Sequence, residues 1–329
     1  MDIITHGVSG ALLARGIFDG PTREAATAAL TVGALFPDFD FVLLLRGRYA
    51  YLTGHRGITH SVIGIPLFAP LVAALLHALG PPASYVFYLY LVALGMGLHV
   101  LFDLITSWGT MILAPFSRRK FYWSWISFRN YPFVFTLWGA LALSFFLDER
   151  WSSVLSAAAM VFAMGMIVVS GISQTVAKRR FREALAKSGI TPTKLEGFPR
   201  GRLLFTWSIF AESDSAFYSG TVSLLRGGPV EIREMSKPEK NDFTEAAARV
   251  PAIAFYFDVT SFVRSHYHLD GDRHVVTFSN VRFAFASRQA QGMMPGEGAR
   301  VVFDGARRVI DAAVYGIPAP VAEATFDTR

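Results

Sequence analysis

The stretch His55-Arg56-Gly57-Ile58-Thr59-His60-Ser61 places two histidines five residues apart, beside an arginine and two hydroxyl side chains. An apolar run at 62–79 follows directly and contains no formally charged residue. Histidines bind divalent metals, and an apolar run of this length is a candidate membrane span. The stretch therefore predicts a metal site at a membrane surface. Its two hydroxyls either contact a substrate or cap the next helix, and capping is the favoured role.

The composition indicates a membrane protein. Of the 329 residues 52% are hydrophobic, and the mean hydropathy of +0.38 exceeds that of most soluble domains. The chain has no cysteine, so disulfides, thiolate zinc sites and cysteine nucleophiles are excluded, and histidine and carboxylate must hold any metal. In so hydrophobic a chain, the net charge of +6 favours the cytoplasmic membrane surface over nucleic acid as its explanation. Asp2 and His6 interrupt the N-terminus, so no signal peptide is predicted.

The apolar runs of the first half predict a series of helices. A short helix is expected at 1–18, and an apolar helix at 22–45 is interrupted by Pro37-Asp38-Phe39-Asp40. A proline followed by two acids does not sit easily in hydrocarbon, so we expect this helix to end at a polar site. The number of spans near 22–45 stays open. The other candidate spans are the apolar runs 62–79, 84–107, 133–147 and 151–173.

The distribution of basic residues predicts the topology. Basic residues follow positions 45, 114 and 173, whereas the turns at 80–83 and 148–150 are poor in them. Basic loops stay preferentially in the cytoplasm. We therefore expect a multi-pass protein of the cell inner membrane with a cytoplasmic C-terminal domain. On this topology the candidate ligands meet at the cytoplasmic face.

The predicted fold class is a mostly α membrane helical domain with a C-terminal β-rich (α+β) soluble domain. The expected boundaries are a membrane-embedded metal-site domain at 1–175, a basic interfacial helix or linker at 176–194 and a soluble domain at 195–329. The basic helix is expected to lie along anionic headgroups. Strands are predicted in the β-rich part from alternating apolar residues. They cover 203–207, 216–218, 252–258 and 275–286.

Two pairs of polar residues carry the metal hypothesis beyond the opening stretch. His99 and Asp103 are four apart in a helical context and share one face. The alternative is a buried histidine bonded to its helix neighbour, but an ionisable pair within an apolar span is costly and is by default functional. Asp38 and Asp40 follow a proline. Either they bridge two metals, or one binds a metal while the other orients a histidine; the alternative is a helix cap or an Asx turn.

The histidines and aspartates of these segments form the candidate ligand set. Its members are His6, Asp38, Asp40, His55, His60, His99 and Asp103. Such donors suit one or two divalent ions, with zinc favoured and manganese or iron as alternatives. Taken alone, His6 would be an ordinary surface histidine.

The candidate catalytic residues are Asp38, Asp40 and Arg56. Either aspartate is a candidate general base. Arg56 is a candidate clamp for a phosphate oxygen, or alternatively a positively charged anchor at the cytoplasmic membrane surface.

A second group of potential ligands lies in the β-rich part. His266, His268, Asp270, Asp272 and His274 alternate along the sequence, so they could share one strand face. Asp270-Gly271 is a favoured turn pair between two strand-like runs. A hairpin turn is therefore preferred there over a metal site.

These motifs resemble the membrane-bound metal-dependent hydrolases of the YdjM type. The resemblance rests on the opening stretch and on Thr5-His6, Pro37-Asp38-Phe39-Asp40, His99-x-x-x-Asp103 and the segment from Thr106 to Pro115. It covers about 1–175, and more loosely Phe255, the hairpin and Val281-Arg282-Phe283. It implies an integral membrane protein with metal-dependent hydrolase activity.

The order of the ligands is also similar, distantly, to zinc-dependent phospholipase C. The chain lacks that family's N-terminal tryptophan ligand and its late histidine and glutamate ligands. The similarity therefore implies one or two ions rather than three, and it implies a phosphoester substrate by analogy.

We expect a metal-activated water to attack a phosphoester or another ester, such as that of a membrane lipid, at the cytoplasmic face. Nucleic acid is not an expected partner. The alternative function belongs to another class: a metal-stabilised membrane scaffold or binding protein without catalysis.

Overall fold

The computed structural model describes residues 1–127, 130–200, 204–238, 241–284 and 298–319. Its α-helices are α1 (Ile3–Ile17), α2 (Thr22–Leu35), α3 (Arg48–Gly54), α4 (Gly64–Leu79), α5 (Tyr85–Leu104), α6 (Tyr131–Ser144), α7 (Glu149–Lys187), α8 (Asp242–Arg249), α9 (Pro251–Val259) and α10 (Val281–Ala284). Two 3₁₀ helices, Phe36–Arg46 and Ile58–His60, lie before α3 and α4. The β-strands are β1 (Lys194–Pro199), β2 (Thr206–Glu212), β3 (Ala216–Ser223), β4 (Ile232–Ser236), β5 (Val263–Asp270), β6 (Arg273–Asn280), β7 (Ala299–Phe303), β8 (Val309–Val314) and β9 (Ile317–Pro318).

The predicted fold class is confirmed: apolar helices come first, and two antiparallel sheets follow. By length and composition, Thr22–Arg46, Tyr85–Leu104 and Glu149–Lys187 can each cross a membrane. The helices at Arg48–His60 and Gly64–Leu79 are bent by 78° and make a fourth span only if taken together. The predicted span at 133–147 is shorter than expected, because α6 has 14 residues and is about 21 Å long.

The interruption predicted at Pro37 is confirmed. α2 ends at Leu35, and the chain tightens into the 3₁₀ helix Phe36–Arg46, with the proline near its start. Proline has no N–H to continue the α-helical hydrogen bonds, which explains the change. Asp40 is buried within this segment although apolar residues around it are exposed. The break therefore turns a carboxylate inward.

The basic segment at 176–194 differs from its prediction. Residues up to Lys187 continue α7 without a break instead of forming a separate helix. The apolar side of this extension, including Phe181 and Leu185, packs against Trp207 of the first sheet. The helix continues because the segment is rich in alanine, arginine and lysine and contains no glycine or proline before Gly189. One rigid element thus joins the apolar region to the β-rich region.

The β-rich region contains two antiparallel sheets, ordered β1-β2-β3-β4 and β5-β6-β7-β8-β9. The predicted hairpin at Asp270-Gly271 is confirmed, because Asp270 pairs with Arg273 between β5 and β6. The strand predicted at 216–218 is confirmed as part of β3, and that at 203–207 in part, since β2 begins at Thr206. Leu203 lies outside the described residues.

One strand prediction, at 252–258, is wrong, and the one at 275–286 is confirmed only to Asn280. Residues 252–258 belong to the helix α9, and the strand expected through 286 ends at Asn280, where α10 begins. Pro251 occupies the first turn of α9, where proline favours a helix, and Ile253 and Tyr256 lie three apart on its buried side. A short apolar run does not distinguish the period of a helix from that of a strand. Residues 285 and 286 lie outside the described part of the chain.

The packing of α2 against α5 positions the polar site. Gly33 of α2 and Gly95 of α5 lie where the two backbones touch: a Cβ at Gly95 would lie 2.7 Å from the carbonyl oxygen of Leu30. Only glycine allows so close an approach. The contact brings His99, one turn beyond Gly95, against the end of α2.

We expect Gly95→Ala to destabilise the protein by about 1–3 kcal/mol, because the new methyl group meets backbone atoms that cannot move aside. Gly97→Ala is the matched control on the same helix, since a Cβ at Gly97 meets no atom within 4 Å. Thermal unfolding in a neutral detergent measures both. Equal melting temperatures for the two variants would contradict the proposed close packing.

Candidate metal centre

The predicted ligands reach one buried site from four segments. His6 comes from α1, Asp38 from the 3₁₀ helix after α2, His60 from the short 3₁₀ helix before α4, and His99 and Asp103 from α5. The three histidines and Asp103 are fully buried. Two ligand groups result, His6 with Asp38 and His99, and His60 with His99 and Asp103. Five of the seven predicted ligands therefore meet in these two groups, although they come from separated segments.

Four donor atoms have the spacing of one coordination shell. The Nε2 atoms of His60 and His99 are 3.0 Å apart, and each lies 3.5 Å from Oδ2 of Asp103. Oδ1 of Asp38 lies 3.6 Å and 3.7 Å from the same two nitrogen atoms. Ligands held about 2.0–2.2 Å from a tetrahedral ion are about 3.3–3.6 Å from one another. The four residues thus fit a divalent ion.

Unpaired polar atoms support this fit. Among the described residues, Oδ2 of Asp103 and both ring nitrogens of His6 are buried without a hydrogen-bond partner. Buried polar atoms without partners are costly, and a cation would satisfy them. His6 stacks on His99 with 3.7 Å between ring centroids, and its Nε2 lies 3.3 Å from Asp103 Oδ1. His6 is thus placed to extend the ligand set.

Hydrogen bonds orient the two central histidines. Nδ1 of His99 lies 2.6 Å from the carbonyl oxygen of Ala34, so Nδ1 carries the proton and Nε2 is free to bind a metal. Nδ1 of His60 lies 3.0 Å from the hydroxyl of Thr59 and 3.5 Å from Asp40 Oδ2. Both rings therefore direct Nε2 into the centre.

Asp40 and His55 lie one layer outside the donor atoms. Asp40 Oδ1 is 2.8 Å from Nδ1 of His55, and Asp40 Oδ2 accepts a 2.8 Å hydrogen bond from the backbone N–H of Arg56. Neither residue belongs to the two ligand groups. The sequence left open whether both aspartates bind metal or one orients a histidine. The geometry supports Asp38 as the ligand and Asp40 as the orienting group.

Arg56 points into the centre. Its guanidinium lies 3.0 Å from Asp103 Oδ1 and donates to the carbonyl of Gly109 at 3.4 Å. The residue has φ +60, uncommon for arginine, and this conformation delivers its N–H to Asp40. A buried side chain in this position is not the membrane anchor considered above. Its charge balances the carboxylates.

Ser61 and Thr59 have different roles. Ser61 Oγ accepts a 2.9 Å hydrogen bond from the N–H of Gly64, the first residue of α4, although the N-cap position itself is occupied by Ile63. Thr59 instead contacts His60.

Several contributors to the site carried no signal in the sequence. The carbonyls of Ala34 and Gly109 are backbone groups, and the amino group of Met1 is ion-paired with Asp103. Lys120 belongs to the basic residues that follow position 114. Burial, followed by the charge of Arg56, lowers the pKa of Lys120 to about 8, although Asp103 and Asp40 act in the opposite direction. Lys120 therefore shares the electrostatic field of the centre.

The histidines of the C-terminal hairpin have structural partners. His274 Nδ1 lies 2.8 Å from the hydroxyl of Tyr267, and the His274 ring stacks on Phe243 at 3.9 Å. In the described part of the chain, neither group of potential metal ligands includes a residue of this hairpin. The hairpin turn predicted there is present between β5 and β6.

Comparison with known proteins adds a family and a relative. A family described as "YdjM inner membrane protein" matches residues 1–177. A Bacillus subtilis (strain 168) protein described as "Uncharacterized protein YfhP" is 26% identical over 301 residues, which cover 86% of this chain and 87% of the relative. That similarity necessarily extends past residue 177 into the β-rich region. No solved structure matches the chain, and the similarity to zinc-dependent phospholipase C stays a prediction.

We expect His60→Ala to lower the metal content of the purified protein from near one ion per chain to less than about a tenth, because it removes a donor from the central shell. His77→Ala is the matched control, since His77 is exposed on α4 away from the centre. Elemental analysis by mass spectrometry measures both. Equal metal content in the two variants would contradict the assignment.

Asp40→Asn should weaken metal binding by about 10- to 100-fold without abolishing it, because Asp40 orients His60 and His55 rather than binding the ion. Competition with a chromogenic chelator gives the dissociation constants of variant and wild type. A loss as complete as that of Asp38→Ala would show instead that Asp40 is a direct ligand.

Proposed function

Because the chain belongs to the YdjM inner membrane protein family, we propose that it is a membrane-bound metal-dependent hydrolase that cleaves a phosphoester or another ester at the cytoplasmic face. The observation that carries the proposal is the close approach of donor atoms from Asp38 and Asp103 to Nε2 of His60 and of His99, beside an arginine in an apolar helical region. Buried ionisable groups in such a region are costly and usually serve a function.

The residues that would hold the ion are Asp38, His60, His99 and Asp103, with His6 completing a second ligand group. Zinc suits these histidine and carboxylate donors best, and manganese or iron are the alternatives. A divalent ion bound there would supply a water of lowered pKa and would polarise the oxygen of the ester under attack.

His55 and Asp40 provide a route for the proton. Asp40 fixes Nδ1–H of His55, which leaves Nε2 of His55 to accept a proton. The His55 side chain is 26% exposed, whereas His60 and His99 are fully buried, so His55 lies at the open side of the centre. Asp40 acts here as a positioning residue, and Asp38 as a ligand rather than a general base.

Arg56 compensates charge in this proposal. Three carboxylates meet in the centre, and the guanidinium beside Asp103 offsets part of their negative charge. An anionic substrate is more easily accommodated when such a cation is already in place.

The cytoplasmic orientation also belongs to the proposal. The positive-inside distribution supports it, and Trp108 and Trp123, exposed near the site, are typical of a membrane interface. The three to four candidate spans support a multi-pass arrangement with the β-rich region in the cytoplasm.

One observation favours the alternative function, a metal-stabilised scaffold or binding protein. The donor residues are almost entirely shielded, as in structural metal sites that lack an open coordination position. Only Asp38, with a side chain 15% exposed, borders the surrounding space.

Activity assays separate the two functions. Purified wild type, His60→Ala and His77→Ala are loaded with zinc or manganese and tested on phosphodiester, phosphomonoester and carboxylic ester panels. We expect wild type and His77→Ala to hydrolyse one ester class, and His60→Ala to lose at least about 100-fold of that activity. Bound metal without activity on any panel would favour the scaffold. A wild type without near-stoichiometric metal would contradict both functions.

A further inference from the structure

Two cavities lie between the helical region and the β-rich region, and they share Lys120, Val259 and Thr260 as lining residues. The first has a volume of about 470 Å³ and is mostly polar. Its lining contains four cations, Arg119, Lys120, Lys178 and Lys194, and two carboxylates, Glu196 and Asp258. The excess of cations favours an anionic ligand.

The second cavity has a volume of about 440 Å³ and is mostly apolar. Leu52, Trp108 and Phe255 form much of its wall, and its charged residues are Lys120 and Arg282. Trp108 is 56% exposed and has the character of a membrane-interface residue. An apolar group would find a matching lining in this cavity.

Lys120 lines both cavities, and its backbone neighbours place it close to Arg56 of the metal centre. The backbones of Thr110 and Phe121 exchange hydrogen bonds of 3.0 Å and 2.9 Å, which places Lys120 beside Gly109. A Cβ at Gly109 would lie 3.3 Å from Cβ of Lys120, and the carbonyl of Gly109 accepts the hydrogen bond from Arg56. One short backbone link thus separates Lys120 from the arginine that contacts Asp103.

The charge of Lys120 is not neutralised locally. In residues 1–127 and the other described ranges, no carboxylate forms an ion pair with it, and the effects of Asp103 and Asp40 act at longer range. With a pKa of about 8, Lys120 is still mostly protonated at neutral pH. A partly buried cation without a local partner favours an anion in the adjoining space.

Building on the proposed function, we propose that the substrate is an anionic amphiphile, a phosphate ester whose phosphate binds at Lys120 and whose apolar part occupies the second cavity. A polar headgroup beyond the phosphate extends into the first cavity. The shared chemistry is an alkyl phosphate, which either a membrane lipid or a soluble phosphoester can provide. Lys120 is assigned here as a substrate-binding residue.

Binding of a non-hydrolysable probe tests the inference without turnover. Hexylphosphonate and inorganic phosphate are titrated by calorimetry into the full-length, metal-loaded protein in a neutral detergent. We expect hexylphosphonate to bind at least about tenfold more tightly than phosphate, because its alkyl chain buries apolar area in the second cavity. Lys120→Gln should weaken hexylphosphonate by about tenfold or more. Lys187→Gln, the matched exposed control, should not change it.

A second variant separates the two parts of the ligand. Ser107 lines the apolar cavity, and Ser107→Leu should reduce hexylphosphonate binding toward that of phosphate while leaving phosphate binding unchanged. Phosphatidic acid added to the detergent micelles should displace the probe if the source is a lipid. Phosphatidylcholine is its control. Failure of phosphatidic acid to compete, with Lys120-dependent probe binding intact, assigns a soluble ester instead.

The inference and the proposed function fail in different ways. Equal hexylphosphonate binding by wild type and Lys120→Gln, with both retaining metal and melting temperature, overturns the binding site even if the protein hydrolyses esters. If the wild type binds hexylphosphonate through Lys120 but hydrolyses no ester, the proposed hydrolase function is overturned and the proposed binding site stands.

Discussion

The burial of Asp103 is the constraint on which the arrangement of the helical region depends. A carboxylate with no exposed surface, on a helix as apolar as α5, must be compensated by opposite charge and hydrogen bonding. The groups around it are the amino group of Met1, His6, Arg56, His60 and His99. These groups come from α1 and the residues just before it, from the stretch before α4 and from α5 itself. The position of each segment is therefore tied to the same side chain.

The break at Pro37 supplies a further part of the site. The carbonyl groups in the last turn of an α-helix have no partners within that helix. At the end of α2 one of them, on Ala34, accepts a hydrogen bond from His99. Because Gly33 and Gly95 let α2 and α5 touch, this carbonyl is within reach of the ring. The end of α2 and its glycine contact with α5 thus together fix the proton on Nδ1 of His99, which leaves Nε2 for a metal.

How much of this could be predicted depends on how local each interaction is. The ligands could be identified because histidines and aspartates are conspicuous in apolar runs, and the spacing of His99 and Asp103 fixes a shared helix face. The separate roles of Asp38 and Asp40 could not be predicted, because they follow from contacts with residues about 15 to 60 positions away in the sequence. Similarly, the sequence predicts a strand where α9 lies, because a nine-residue and mostly apolar segment can bury one side either as a helix or as a strand. The sequence also predicts a boundary within α7, because its residues change from apolar to basic near 176. The helix nevertheless continues through this change to Lys187.

The β-rich region is hydrogen-bonded to the loop that carries Lys120. Tyr122, two residues after Lys120, donates to Glu196 of β1 at 2.8 Å, and Ser261, just before β5, donates to the other oxygen of Glu196 at 3.0 Å. This network joins the loop that carries Lys120 to both sheets. The metal ligands all lie within the 1–177 segment that defines the family, whereas Phe255, Arg282 and Tyr315 of the apolar cavity lie beyond it. If the cavities hold the substrate, the helical region determines the chemistry and the β-rich region determines which molecule reaches it. Changes in the C-terminal part would then alter the choice of substrate while leaving metal binding intact.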